Sequence, residues 1–178
     1  SVVLASVIDR RFFSEMETQH AQSAFSASNL APGFSLLAKA EGIEKTRANV
    51  RLAVDAGNLK LQQNAADTKT SSADLQKQFA DTLSTTTDAG KTAVAMYPDD
   101  YQQSLSLAGV YDFLNTLKID GAYDSAKQYH TAAQTLNPNN PQIALALARL
   151  EAAKGNVSDA QTDITRALTL KPNSTDAI

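Results

Sequence analysis

A 34-residue repeat in the second half of the chain restricts its fold more than any other sequence feature. The segment "NPNNPQ" at 137–142 returns as "KPNSTD" at 171–176, and a Thr-Leu pair precedes each copy. A repeat of this length is typical of stacked helical hairpins, because one hairpin cannot bury its apolar face alone. The same interval joins six residue pairs, which are Gly121 with Gly155, Tyr123 with Val157, Ala126 with Ala160, Ala133 with Ala167, Leu136 with Leu170 and Pro138 with Pro172.

Apolar residues recur at helical intervals along the whole chain, and no long segment alternates as a strand would. We therefore predict an all-α fold with about seven helices. Pro32 and Gly33 are predicted to end a first helix over about 3–28. A single long helix is then predicted over 34–67, weakened near Gly57.

Residues 107–172 resemble the tetratricopeptide repeat (TPR) family. The residues that carry the resemblance are the turn glycines, the small residues of each second helix and the closing prolines. The resemblance implies a TPR-like α-solenoid of antiparallel helical hairpins. It divides the chain into an N-terminal helix with an apolar start (1–32), an elongated irregular hairpin (33–98), a repeat with a lengthened first helix (99–140), and a regular repeat with its tail (141–178).

The first helices of the two repeats fit the family pattern less well. The insertion "DDYQQS" is expected to lengthen the earlier one by about a turn and a half. Aligned at the 34-residue interval, the small residue at the helix crossing corresponds to Leu114 and Ala148. Ala144 stands where the family has a bulky residue, and Glu151 stands where it has an aromatic one. These departures predict a thinner last repeat.

The resemblance implies a concave binding wall made by the first helices of successive hairpins. Asn115 and Arg149 would suit a peptide backbone or a carboxylate, since an amide both donates and accepts and a guanidinium offers a planar fork. The alternative is an ordinary solvated helix face. The positions that match the family's groove are Tyr111, Asp112, Asn115, Lys118, Leu145 and Arg149.

The chain begins "SVVLASVIDRRFF", an apolar run too short to cross a bilayer, which takes about 20 residues. The run is consistent with the end of an upstream membrane helix or export signal, with a helix that docks on another molecule, or with a core-facing first turn. Docking on a neighbouring copy would make the chain a self-assembling subunit. The residues that would then mediate assembly are Val3, Leu4, Val7, Ile8 and Phe12.

The sequence predicts neither catalysis nor a bound cofactor or metal. Cysteine is absent, and His20 and His130 have no neighbouring pattern of ligands or catalytic partners. The triplet Gly90-Lys91-Thr92 imitates the end of a phosphate-binding loop, but Thr85 stands where that loop needs Gly. A net charge of -3 without a dense basic face argues against nucleic-acid binding.

Abundant Ser, Thr, Asn and Gln favour an extracytoplasmic or cell-surface location in a bacterium, although a cytoplasmic one stays open. The layout is similar to TPR regions that follow the membrane domain in bacterial O-antigen-ligase-type proteins. Asn156 and Asn173 match the acceptor pattern for N-glycosylation.

Three functional hypotheses follow. The first is a non-enzymatic TPR scaffold that binds a protein or peptide. The second is a self-assembling structural subunit of an extracellular oligomer or filament. The third is an accessory extracytoplasmic domain of a membrane glycan ligase, in which contact with the membrane comes only through an upstream segment.

Overall fold

A computed structural model describes the backbone of residues 2–171 and the side chains of residues 9–171. Within that range every regular element is a helix and no strand occurs, which confirms the all-α prediction. No helix among these residues has the length and apolarity needed to cross a membrane. The helices are α1 (Val2–Ser26), α2 (Leu30–Ile43), α3 (Arg47–Ala66), α4 (Ser72–Met96), α5 (Tyr101–Thr116), α6 (Ala122–Leu136), α7 (Pro141–Lys154) and α8 (Val157–Leu170).

Successive helices pair as hairpins, α1 with α2, α3 with α4, α5 with α6 and α7 with α8. The chain divides into two compact units, Ser1–Tyr97 and Pro98–Ile178, and each unit contains two of the hairpins. The TPR-like arrangement of antiparallel hairpins expected from the sequence is therefore confirmed. The eighth helix comes from a break that the sequence analysis did not predict.

That break lies at residues 44–46, inside the segment predicted as one long helix over 34–67. Thr46 Oγ1 accepts a hydrogen bond from the backbone N–H of Asn49 at 3.3 Å. In return, Asn49 Oδ1 accepts from the N–H of Thr46 at 2.8 Å. This capping box satisfies two N–H groups at the start of α3, so a new helix begins there. The sequence signal was hidden because Asn occupies the position where Glu or Gln is usual.

The predicted stop at Pro32 and Gly33 is wrong, because both residues lie in the first turn of α2. Proline is tolerated there, since the N–H groups of a first turn have no partner inside the helix. The chain reverses earlier, at Ser28, whose φ of 60° places it in the left-handed region. The Asn29 N–H then bonds to Ala24 O at 2.9 Å and closes the end of α1.

Buried polar side chains fix the corner between α1, α2 and α3. Ser14 and Asn49 are both fully buried. Asn49 Nδ2 donates to Ser14 Oγ at 3.0 Å and to Glu44 O at 2.8 Å. Ser14 Oγ in turn lies 3.0 Å from Ala40 O and 2.8 Å from Glu44 O. The Glu44 carbonyl after α2 is therefore satisfied by Asn49 inside the protein, while Ala40 O also accepts from the Glu44 N–H at 3.0 Å.

The second unit keeps the 34-residue register only in its second helices, where both aligned alanine pairs are buried. The first helices follow a different register, because α5 begins at Tyr101 and α7 at Pro141, which are more than 34 residues apart. The preceding residues, Asp100 and Asn140, cap these helices through side-chain oxygens that accept at 3.0 Å. Buried Ala108 therefore corresponds to Ala148, and the alignment of Leu114 with Ala148 is corrected.

The insertion also lies elsewhere than predicted. Helix α5 has 16 residues and α7 has 14, so the first helix is longer by two residues rather than by a turn and a half. Most of the extra length forms the turn at 117–121, which includes Lys118 and Gly121 at positive φ. The turn between α7 and α8 needs only Gly155 and Asn156.

We predict that Gly57→Ala lowers the free energy of unfolding by about 1–3 kcal/mol. Helix α3 runs unbroken through Gly57, so the expected weakening there is wrong. The glycine lies where α4 approaches α3. A Cβ at this position would overlap with the side chain of Thr86. Gly42→Ala is the control, since no atom lies within 4 Å of the added Cβ. Urea unfolding checks both variants, and an equal effect of the two would contradict the close approach.

Candidate functional site

Two of the predicted groove residues are engaged with the neighbouring helix α6. The rings of Tyr111 and Tyr129 stack with centroids 5.8 Å apart and an interplanar angle of 7°. Asp112 Oδ2 lies 2.8 Å from Nε2 of His130, whose side chain is buried. Both pairs join α5 to α6 within one hairpin, so Tyr111 and Asp112 help to hold that hairpin together.

Leu145 lies in the core of the last hairpin. It is 4 % exposed and belongs to a buried cluster with Ala144 and Ala167. The small side chain of Ala167 lets α8 approach α7 closely, and Leu145 is enclosed as a result. The predicted binding role of Leu145 therefore has to be corrected, because its side chain offers almost no surface to a ligand.

Asn115 and Lys118 meet the end of α7 in a surface depression of about 390 Å³. The α7 residues in this depression are Ala153 and Lys154. Arg149 precedes Ala153 by one helical turn and is exposed, so it lies on the same face of α7. We call Asn115, Lys118, Arg149 and Lys154 the basic site.

Two cations of the basic site, Lys118 and Lys154, line the depression, and the third, Arg149, lies one helical turn before Ala153 on α7. Lys154 Nζ lies 4.9 Å from the centroid of the Tyr123 ring, which holds this ammonium at the edge of the depression. Asp120 and Asp124 line the same depression and match the charge of its two lysines, so the excess positive charge of the basic site is that of Arg149. Neither Lys118 nor Arg149 forms an ion pair with any residue that the structure describes. The arrangement is suited to a carboxylate, which accepts hydrogen bonds from ammonium, guanidinium and amide groups.

A sequence model described as "Tetratricopeptide repeat" matches residues 117–177. This part of the chain belongs to the tetratricopeptide repeat family. The match covers the second helix of one hairpin and the whole of the next, where the 34-residue register was found.

Solved TPR structures share the fold of the chain. A thermophilic TPR protein of Thermus thermophilus is 15 % identical, with a TM-score of 0.52 over 92 % of this chain and 94 % of that one. A mutant of MamA is 19 % identical, with a TM-score of 0.56 over 96 % of this chain and 82 % of that one. At these identities the similarity concerns the fold alone. No curated protein matches the sequence.

Glu151, one of the departures from the TPR pattern, is the centre of a buried polar network. Its side chain is 1 % exposed. It accepts hydrogen bonds from Tyr123 Oη at 2.8 Å and from Asn156 Nδ2 at 2.6 Å, and it pairs with Lys127 Nζ at 2.7 Å. The sequence marked Glu151 as unusual but did not show its partners, which come from α6 and from the turn after α7. The network compensates the buried charge, so the last repeat keeps its packing.

The network also fixes which protonation states are favoured. Burial acts to raise the pKa of Glu151, but the hydrogen bonds from Lys127, Asn156 and Tyr123 outweigh it and leave the pKa below its usual value. The Glu151 hydrogen bond raises the pKa of Lys127 in turn. Glu151 and Lys127 therefore stay charged at neutral pH, and the ion pair persists.

The structure describes one of the two predicted glycosylation sites and not the other. Asn173 lies outside the described residues. Asn156 begins α8, but its side chain makes no capping hydrogen bond and instead donates to Glu151 and Tyr123. A glycan on Nδ2 would replace one of the two amide hydrogens, so modification would compete with the network.

The predicted assembly surface is described only in part. The side chains of Val3, Leu4, Val7 and Ile8 lie outside the described residues, whereas Phe12 is 62 % exposed. The adjacent Phe13 is 50 % exposed, and the two rings meet edge to face with centroids 5.7 Å apart. Two neighbouring exposed aromatic rings are an unusual apolar patch for a helix surface.

The remaining motifs lie in ordinary helical surroundings. Gly90, Lys91 and Thr92 belong to α4, and no described strand precedes them. His20 is exposed, with Nδ1 3.9 Å from Glu17 Oε2. No group of three His, Cys, Asp or Glu suited to a metal ion occurs in the part of the chain that the structure describes.

We predict that Glu151→Gln lowers the free energy of unfolding at pH 7 by about 1–3 kcal/mol, because hydrogen bonds to a charged group are lost. The folded pKa lies below the unfolded value of about 4.3, so the contribution is present above that value. It is lost as the pH falls through the folded pKa. The variant and the natural protein should therefore differ less at pH 3 than at pH 7.

Urea unfolding at the two pH values measures this difference. Glu15→Gln is the control, because the Glu15 pair with Arg11 is exposed to solvent and contributes little to stability. A Glu151→Gln effect that stays the same at both pH values would show that the charge of Glu151 is not what stabilises the network.

Proposed function

We propose that the chain is a non-enzymatic TPR scaffold whose basic site binds a carboxylate-bearing segment of another protein. The observation that carries the proposal is the meeting of Asn115 and Lys118 of the α5 end with Lys154 of α7 in one depression. TPR hairpins stack into extended binding surfaces, and the TPR fold of the chain supports a role in protein interaction.

The chemistry of the site supports a carboxylate ligand. Exposed Lys118 and Arg149 make no ion pair among the described residues, so an incoming carboxylate does not have to displace an existing partner. Ala152 and Ala153 are both exposed on α7, and their short side chains leave the helix backbone accessible between the charged groups. A peptide backbone can therefore approach the helix closely, and the carboxylate of a side chain or of a C-terminus can reach the guanidinium.

We expect a phage-displayed library of random dodecapeptides, selected against the immobilised full chain, to yield sequences enriched in acidic residues or free carboxyl ends. Binding of the selected peptides, measured by fluorescence polarisation, should weaken at least about tenfold in the double variant Lys118→Ala, Arg149→Ala. The reason is the loss of two charge-assisted hydrogen-bonding groups.

The matched control is Lys69→Ala, Lys91→Ala, which removes the same charge from exposed positions of the first unit. The control should bind the peptides as the natural chain does. Equal weakening by both double variants would indicate a general charge effect, and unchanged binding in the Lys118, Arg149 variant would remove the basic site as the binding surface.

A second candidate function is self-assembly, which the exposed Phe12 and Phe13 specifically favour. Covering this apolar pair with a protein surface would release water from both rings. The two candidate functions use different surfaces, so each can fail without the other.

We expect the natural chain to associate as its concentration rises, and Phe12→Ser with Phe13→Ser to weaken that association. Light scattering after size-exclusion chromatography measures the mass of both. Val157→Ser is the control, because Val157 is 64 % exposed but lies in the second unit. Association that responds equally to Val157→Ser would not be specific to the aromatic pair.

A further inference from the structure

The first unit contains a groove that none of the functions above uses. It runs along α3 between α2 and α4 and has a volume of about 430 Å³. Its floor is apolar, and two of the floor residues have small side chains or none. The floor residues are Leu37, Val50, Ala53 and Gly57. We call it the α3 groove. About 150 Å³ is enough to hold a benzene ring, so the groove has room for more than one aromatic side chain.

The polar atoms of the α3 groove are mainly hydrogen-bond acceptors. Thr85 Oγ1 donates to Asp81 O at 2.8 Å, and Thr86 Oγ1 donates to Thr82 O at 2.7 Å. Each hydroxyl hydrogen is therefore used within α4, and each oxygen is left able to accept. The Lys45 and Lys60 side chains at the rim are exposed, and Lys60 Nζ lies 5.5 Å from the centroid of the Phe34 ring.

Glu41 is a carboxylate of the groove that no described donor of the chain reaches. It is half-buried. Burial raises its pKa, and the nearby charge of Lys45 only partly offsets this. The carboxylate oxygens are not among the buried atoms without a partner, so they are open to solvent and their hydrogen bonding is left to water. A ligand that brings N–H donors next to apolar surface would replace that water.

The chain itself carries such a surface on α1. Arg11 precedes the exposed pair Phe12 and Phe13, and its side chain is 68 % exposed. The guanidinium bonds to Glu15 Oε1 at 3.0 Å, an exposed contact one turn away that is readily exchanged for another carboxylate. A guanidinium has five N–H donors and no acceptor, which complements a groove rich in acceptors.

We propose that Arg11, Phe12 and Phe13 of one copy dock into the α3 groove of a second copy. The phenyl rings cover the apolar floor, and the guanidinium reaches Glu41. This inference rests on the self-assembly candidate and names its two surfaces. No α1 residue whose side chain the structure describes lines the groove, so donor and acceptor surfaces are separate parts of the same chain. Such a contact is heterologous and continues from copy to copy unless the geometry closes a ring.

The first experiment is sedimentation velocity of the full chain over a range of concentrations. Ala38→Trp fills the groove from an exposed position of its wall, and Glu41→Gln removes the charge that meets Arg11. We expect Ala38→Trp to raise the concentration needed for association at least tenfold and Glu41→Gln to raise it severalfold. Ala48→Trp adds the same ring at an exposed α3 position outside the groove and should associate normally. Circular dichroism verifies that every variant is folded.

The second experiment mixes two variants that are each defective at one surface. The Phe12→Ser, Phe13→Ser variant keeps the groove, and Ala38→Trp keeps the aromatic pair. The mixture should form dimers of one copy of each variant and nothing longer. A two-fold contact between aromatic pairs would instead leave Ala38→Trp able to associate alone, which would overturn the proposal.

The outcomes separate this inference from the function it rests on. If the natural chain stays monomeric up to about 1 mM, both self-assembly and the groove contact fail. If it associates, responds to loss of Phe12 and Phe13, and is unaffected by Ala38→Trp and Glu41→Gln, self-assembly stands and the groove contact alone is wrong. Neither result bears on the basic site of the second unit.

Discussion

The close approach of helices through small side chains is the constraint on which the rest of the structure depends. Gly57 meets Thr86 where α3 and α4 pack, and Gly33 packs against the ring of Phe25 between α1 and α2. In the second unit the buried alanines of α6 and α8 have the same function. Because the helix backbones come close at these points, larger side chains beside them are enclosed. The helix faces that are not packed in this way form the exposed surfaces and grooves of the structure.

Buried polar groups determine where hairpins begin and end. At the α2–α3 corner, Ser14 and Asn49 satisfy the carbonyl groups at the end of one helix while Thr46 starts the next. In the last hairpin, Glu151 holds Tyr123, Lys127 and Asn156 together across α6, α7 and the following turn. Both networks are compatible with a dry interior because each buried polar group has partners. They give the hairpins fixed corners, and the proposed binding surfaces border them, because Lys45 lines the α3 groove and Tyr123 lines the depression of the basic site.

The sequence predicted the helical class, the TPR resemblance and the register of the second helices, because these follow from periodicity and from turn glycines and prolines. It missed the break between α2 and α3, since a capping box with Asn49 in place of Glu or Gln has a weak sequence signature. It also carried the 34-residue interval into α5, where the turn at 117–121 absorbs extra residues. This error in register is why Ala108, and not Leu114, corresponds to Ala148.

The predicted groove residues also include some that the structure leaves accessible and one that it buries. Asn115, Lys118 and Arg149 are on the accessible surface, whereas Leu145 is enclosed in the core beside Ala167. The sequence by itself determined that helical hairpins must stack, because the repeating apolar and small residues cannot be buried within one hairpin. Only the tertiary structure decided which side chains are covered, which buried charges are paired and which carboxylate lacks a donor. These properties depend on contacts between helices that are distant in sequence, and a local pattern carries no record of them.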